Sequence, residues 1–197
     1  MSNFRIKGLG GKCLHITFKG EGSLDYGGPF RDALTNIIQE LESSVLPLLI
    51  PTANNSKEVG AHRECFMLNP DATSPAHLEM LGYLGAFIAF GILSKQPFAL
   101  NLAPAVWKQI LGEKMLLKDL ESIDFTSAKL LQDLQSFGKE KSAEEFEAAA
   151  LGQNFTAHLS TGDEVVLRPG GATETVTKAN VDEFIRLVLE ARFAESL

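Results

Sequence analysis

Apolar and polar positions alternate only briefly in this chain, and most of its pattern has helical spacing. Residues 13–19, CLHITFK, mix β-branched and aromatic residues in partial alternation and predict a short strand. The turn-rich GEGSLDYGGP follows. From Phe30 the spacing changes: Leu34, Ile37, Ile38 and Leu41 recur at three- and four-residue steps and define one helix face. Pro29 suits the first turn of that helix, where a missing N–H costs nothing, and Val45 and Leu46 extend the pattern towards Pro47. Residues 51–62, PTANNSKEVGAH, are polar and read as a loop. Ser74 and Pro75 then give an N-cap and a first helical residue. The helix they open, Pro75 to about Ser94, is apolar on most sides beyond Met80. Such a helix is expected to be surrounded by protein, at the centre of the core.

The second half is more finely divided. QPFALNLAP reads as a linker, and a short helix around Ala103–Leu111 carries the single tryptophan, Trp107. Leu116–Phe137 suggests two short helices, the second capped by Asp124 and carrying Leu130, Leu131 and Leu134 on its apolar face. Ser142 and Glu145 have the spacing of a capping box, in which serine and glutamate each satisfy an unpaired backbone N–H; the charged segment around them reads as a solvated helical turn. NFTAHLS and EVVLR form two strands about Thr161-Gly162-Asp163, a hairpin signal, and Pro169, Gly170 and Gly171 end the second strand. Val181, Phe184, Ile185 and Val188 stripe a last helix, at whose start Asn180 and Glu183 repeat the capping-box spacing. The fold class expected is α+β, mainly helical, with a few short strands.

Composition narrows the function classes. The chain has 197 residues, 45% hydrophobic and 22% charged, enough for a core without disulfides or metals. Its net charge is -7 and its 18 basic residues are scattered, so no phosphate-binding stripe exists and nucleic acid is not an expected partner. Two cysteines, Cys13 and Cys65, fit a reducing compartment, the cytoplasm or also the nucleus. The N-terminal residues lack the apolar segment of a signal peptide. The apolar run Met80–Leu93 is shorter than the roughly 20 residues that cross a bilayer, so no membrane partner is expected.

Candidate chemistry is sparse. His62 lies three residues before Cys65, and His15 two after Cys13, but thiol–imidazole spacing alone describes many structural cysteines. His62 and Cys65 would supply half of a zinc ligand set, and no second pair follows at a suitable spacing. GLGG at 8–11 lacks the later glycine of a dinucleotide fingerprint. GEGSLDYGGP lies between strand and helix but lacks the ending of a phosphate loop, and Glu21 and Asp25 would repel phosphate. Gly27 and Gly28 are better explained by a tight turn with Asp25 bonded to nearby N–H groups. Glu144 and Glu145 project differently from a helix and make a poor acid–base pair. No cofactor or metal site is expected.

One segment carries more. ITFKGEGSLDYGGPFRDALTNIIQEL resembles the opening of HECT-type ubiquitin ligase domains: a strand, Gly-Glu, Asp-x-Gly-Gly, then a helix with an early arginine. The matching positions are Gly20, Glu21, Asp25, Gly27, Gly28 and Arg31, and Asp32 stands where many relatives have glutamate. Further segments follow in family order. They are a variable loop closing on Asn69-Pro70, an apolar central helix, LKDLESID with Asp119, Leu120 and Asp124, and LRPGGATETVTKANVDEF with Pro169, Gly170, Gly171, Thr177 and Asn180. ELESSVLPLLIPTANNSKEVG and LAPAVWKQ look most like the large HERC-type ligases.

The resemblance implies acyl transfer: ubiquitin passes from a charged conjugating enzyme to a ligase cysteine as a thioester, then to a substrate lysine. Ubiquitin-conjugating enzyme and ubiquitin are the partners implied, through the full HECT domain. It further implies that residues 1–13 are an N-terminal extension and residues 14–197 a partial HECT domain, the large subdomain of the N-lobe. The conjugating-enzyme subdomain and the cysteine-bearing C-lobe would then follow Leu197. Neither Cys13 nor Cys65 has the family's catalytic context, so no catalytic residue is expected in this chain and its role would be scaffolding. The alternative is a non-catalytic module, derived from a HECT core, that binds ubiquitin or a substrate.

Overall fold

A computed structural model describes residues 28–94, 99–150 and 152–195. The chain divides into two compact units, one of residues 1–49 and 72–100, the other of residues 50–71 and 101–197. The architecture is α+β and mainly helical, as the spacing predicts.

The described part of the first unit is two helices. α1, Gly28–Leu41, buries Leu34, Ile38 and Leu41, while Ile37 lies at the exposed edge of that stripe. The helix does not continue to Pro47. The Ser43 hydroxyl donates to the Glu40 carbonyl at 2.8 Å and accepts from Val45 N–H at 3.2 Å, taking over backbone groups that another turn would need. α3, Pro75–Ser94, starts where Ser74 was expected to cap it, and Ser74 Oγ accepts from His77 N–H at 3.2 Å. It is not the centre of the core. Leu84 and Gly91 are buried, whereas Leu78, Tyr83, Ile92 and Leu93 are exposed. Apolar composition states that a helix favours cover, not where the cover comes from. Counted from Pro75 to Leu93, the helix is also long and apolar enough to cross a membrane by length and composition, which the shorter run from Met80 is not; core helices of soluble proteins meet the same criterion.

The second unit opens with elements absent from the sequence reading. β1, Leu49–Pro51, pairs with β2, Phe66–Leu68, and the segment expected to be a plain loop between them contains α2, Ala53–Lys57. Neither strand is long enough to show alternation, and ANNSK has poor helix propensity. Capping sustains α2 instead: Thr52 Oγ1 accepts from Asn55 N–H at 3.2 Å, and Glu58 ends the helix in left-handed backbone. Phe66 also bridges to Leu102 in the segment after α3, with Phe66 N–H on the Asn101 carbonyl at 2.7 Å.

α4, Pro104–Ile110, α5, Leu117–Leu120, and α6, Phe125–Glu140, follow in the order expected, with α6 longer than the spacing indicated. α7, Ala143–Ala149, forms the full capping box: Ser142 Oγ accepts from Glu145 N–H at 3.3 Å, and Glu145 Oε2 accepts from Ser142 N–H at 3.0 Å. The bond from Ser142 N–H is the largest of the influences that hold the Glu145 carboxyl below its ordinary pKa. α7 is nonetheless more than a solvated turn, because Phe146 is fully buried. β3, Thr156–His158, and β4, Glu164–Val166, form the antiparallel hairpin with Ala157 opposite Val165 and Gly162 at φ +92° in the turn. α8, Val181–Ala194, buries Val181, Phe184, Ile185 and Val188. α6 packs against α5, α7 and α8, and α8 against β3. Gly138 on α6 allows close approach to α8: an added Cβ would lie 2.9 Å from Val181 Cγ1.

Candidate functional site: helices tied by buried polar links

The residues that carried the family resemblance fall into two groups. Gly20, Glu21, Asp25 and Gly27 lie outside the described residues. Gly28 opens α1 and so lies in the helix, not in the tight turn expected of it, and Arg31 and Asp32 are exposed on the helix surface. The later motif residues can be placed individually, and several of them link elements of the second unit.

Asn69 Oδ1 accepts from Asp71 N–H at 3.0 Å, a turn that explains why Asn-Pro closes the segment. Asp119 Oδ2 receives Lys108 Nζ at 2.7 Å and Leu116 N–H at 2.8 Å, tying α4 to the start of α5, while Leu120 is fully buried. Ser122 Oγ donates to the Asp119 carbonyl at 2.8 Å and accepts from Ala105 N–H at 3.3 Å.

Asp124 is the N-cap expected: Oδ1 accepts from Ser127 N–H at 3.1 Å and Oδ2 from Ser127 Oγ at 2.7 Å. Its second partner was not visible in the sequence. Arg192, in the last turn of α8, places Nη1 3.0 Å from Asp124 Oδ2 and Nε 3.1 Å from Glu195 Oε1. The side chains of Arg192, Asp124 and Glu195 are 5%, 8% and 2% exposed, so the triad is shielded from solvent. Burial is the largest influence on the Asp124 carboxyl and works to raise its pKa. The Ser127 and Arg192 bonds together outweigh burial, and the net shift is downward. Glu195 Oε2 also accepts from Ser160 N–H at 2.7 Å, so the network reaches the loop after β3. Gln109 Nε2 donates to the Phe193 carbonyl at 2.7 Å and brings in α4.

The Pro169-Gly170-Gly171 motif makes the corner after β4. Gly170 has φ +78°, a left-handed backbone that favours glycine. Gly171 has no room for a side chain: a Cβ would sit 2.9 Å from the Arg168 carbonyl oxygen and 2.9 Å from both Cβ and O of Phe155. The corner wraps Phe155, which is fully buried and meets Phe184 edge-on at 5.5 Å. The Arg168 guanidinium stacks 3.8 Å above the Phe155 ring and pairs with Glu174 and with Glu183, the latter at 2.6 Å. That use of Glu183 overturns the second expected capping box. Asn180 makes no side-chain cap to α8; its Oδ1 accepts from Thr177 N–H at 2.7 Å and its Nδ2 donates to the Thr175 carbonyl at 3.3 Å. Spacing proposes a box, and competition for the glutamate decides.

A further link, missed in the sequence, centres on Asn54, which is fully buried in α2. Its Nδ2 donates to the carbonyls of Ala61 at 3.0 Å and Glu121 at 2.7 Å, and its Oδ1 accepts from Phe125 N–H at 2.7 Å. One side chain thus satisfies the loop after α2 and the corner between α5 and α6.

His62 and Cys65 are brought together, with Glu64 beside them. Cys65 carries a thiol, buried, with Glu64 Oε1 3.9 Å from its sulfur. The donor atoms of His62, Glu64 and Cys65 lie within 4.8 Å of one another. Glu144 and Glu145 are exposed, as their spacing suggested.

The geometry therefore defines a helical scaffold: its buried polar groups connect elements to one another, and none of the motif residues described is assembled around a nucleophile. A HECT-domain (ubiquitin-transferase) family profile matches residues 35–197, and the chain belongs to the HECT-domain family. It is 34% identical over 180 residues to the E3 ubiquitin-protein ligase HERC2 of Mus musculus, and equally to that of Homo sapiens, covering 91% of this chain and 4% of each relative. It is 26% identical over 199 residues to the probable E3 ubiquitin-protein ligase HECTD4 of Homo sapiens, covering 93% of this chain and 5% of that relative.

Proposed function

We propose that this chain is the scaffold part of an E3 ubiquitin-protein ligase, the large subdomain of a HECT N-lobe. In the whole protein it would position a conjugating-enzyme subdomain and a C-lobe so that ubiquitin moves from one cysteine to another and then to a substrate lysine. On this reading residues 14–197 are the partial HECT domain and residues 1–13 an extension, and the protein acts in the cytoplasm or nucleus. The observation that carries it is the fate of the motif residues. Asp119, Asp124, Gly170, Gly171 and Asn180 are spent on caps, corners and links within one unit. Residues fixed for that purpose maintain a shape, and a shape matters to transfer because reacting thiols must meet in a defined geometry.

The chain by itself would carry no ubiquitin. The thiol of Cys65 is buried, 6% exposed, which restricts the approach of a thioester to its sulfur. Incubation of the 197-residue chain with activating enzyme, conjugating enzyme, ATP and ubiquitin is expected to give no thiol-reducible adduct on a non-reducing gel. A reducible ubiquitin adduct that disappears in Cys65→Ser would overturn the reading.

A further inference from the structure

The turn at residues 60–65 holds three ligand types that neither the fold nor the proposed scaffold role requires together. His62, Glu64 and Cys65 offer an imidazole nitrogen, a carboxylate oxygen and a sulfur within 4.8 Å of one another. A tetrahedral zinc ion with bonds of about 2.0–2.3 Å sets its ligands about 3.3–3.8 Å apart, so closing the three onto one ion takes movements of about 1 Å or less. We propose that this turn is a binding site for a divalent transition metal of the zinc class, with His62, Glu64 and Cys65 as protein ligands and solvent at the fourth position.

The backbone is suited to the task. Cys65 N–H donates to the His62 carbonyl at 3.1 Å, folding the cysteine back over the histidine. The Cys65 carbonyl accepts from Thr52 N–H at 3.2 Å and Asn55 Nδ2 at 3.3 Å, so the capped helix α2 anchors the sulfur-bearing residue. His62 has φ +56°, a conformation uncommon outside glycine and of the kind found at functional turns. Arg63, the cation nearest in sequence, donates from Nε to the Gly60 carbonyl at 2.9 Å.

Charge and access agree. A thiolate, a carboxylate and a neutral imidazole balance a dication, with the thiol proton released to solvent on binding. Nitrogen and sulfur donors select zinc-like ions over calcium or magnesium. His62 and Glu64 are exposed, so an ion can approach from solvent, and Cys65 is buried, so its sulfur lies at the base.

Cobalt(II) titration of the 197-residue chain, in a non-chelating phosphine reductant, tests the site. The expected result is equimolar binding with a near-ultraviolet thiolate-to-cobalt band and the intense visible bands of four-coordinate cobalt, both erased by added zinc. Cys65→Ser should remove the thiolate band, and Cys13→Ser should leave it intact. His62→Ala and Glu64→Gln change exposed residues and should each weaken binding on the order of tenfold or more, whatever Cys65→Ser does to folding. No thiolate band in the unaltered chain, a band lost in Cys13→Ser but kept in Cys65→Ser, or unchanged affinity in both exposed variants would each overturn the proposal.

Discussion

At the scale of single residues, two glycines do different work from the glycine-rich turns that first attract notice. Gly60 has φ +67°, and a Cβ there would lie 2.7 Å from Phe125 Cβ. Gly171 is not in left-handed backbone, yet its Cβ would meet the Phe155 backbone and side chain at 2.9 Å. Backbone cannot yield as a flexible side chain can, so Gly171→Ala is expected to lower stability by about 1–3 kcal/mol through overpacking. Chemical denaturation measures it, and a midpoint equal to that of the unaltered chain would contradict the packing of the corner. Gly112 and Gly152, at φ +68° and +71°, have open space around the missing Cβ, so alanine there meets only backbone strain. Part of this was legible. The Pro-Gly-Gly corner is audible in the sequence because those residue types mark breaks, and Asp124 and Ser142 are audible because caps are local. Asn54 was not, since an asparagine in a polar stretch looks the same whether its amide faces water or three distant backbone groups.

At the scale of elements, the buried triad on α8 sets how the unit responds to pH. Asp124 is held below the ordinary carboxylate pKa in the fold. Its ionised form therefore contributes stability that is complete above the unfolded value, about 3.9, and is lost as pH falls through the lower folded value. Acid unfolding should thus steepen below about pH 4. Replacing Arg192 by methionine strands Asp124 and Glu195 as buried unpaired carboxylates, at a cost of about 3–5 kcal/mol near neutral pH. The same change removes the Arg192 hydrogen bond and charge, two of the influences that lower the Asp124 pKa, so the acid-linked loss should flatten. A variant as stable as the parent at pH 7, or one with an unaltered acid limb, would contradict the network. Arginine in the last turn of a striped helix reads as an exposed complement to the helix dipole; only the meeting of α6 and α8 makes it a core residue. Similarly, α2 and the strands β1 and β2 escaped pattern reading because each is shorter than the window in which a period shows.

At the scale of the whole molecule, the mainly helical class followed from spacing, and the family followed from motifs kept in order. The placement of α3 did not follow. Its apolar residues suggested a central helix, yet Leu78, Tyr83, Ile92 and Leu93 are 58%, 60%, 71% and 58% exposed. Exposed apolar side chains in this number on one helix favour binding of hydrophobic dyes and partners. The chain is expected to enhance the fluorescence of an anilinonaphthalene sulfonate dye, and Leu78→Gln with Ile92→Gln should reduce that signal with little change in melting temperature, because exposed positions tolerate substitution. A large drop in melting temperature would instead mean that these side chains are buried in solution.

The second unit is discontinuous, its first part ending at Asp71 and its remainder beginning at Asn101. A ribosome working from the N-terminus releases Asn54 long before Glu121 and Phe125, the residues that satisfy its amide. Between those two moments it also releases the whole of α3. During that interval the nascent protein carries an Asn54 amide bonded to water instead of its native partners together with an apolar helix, which makes this stretch of synthesis the natural point for chaperone capture.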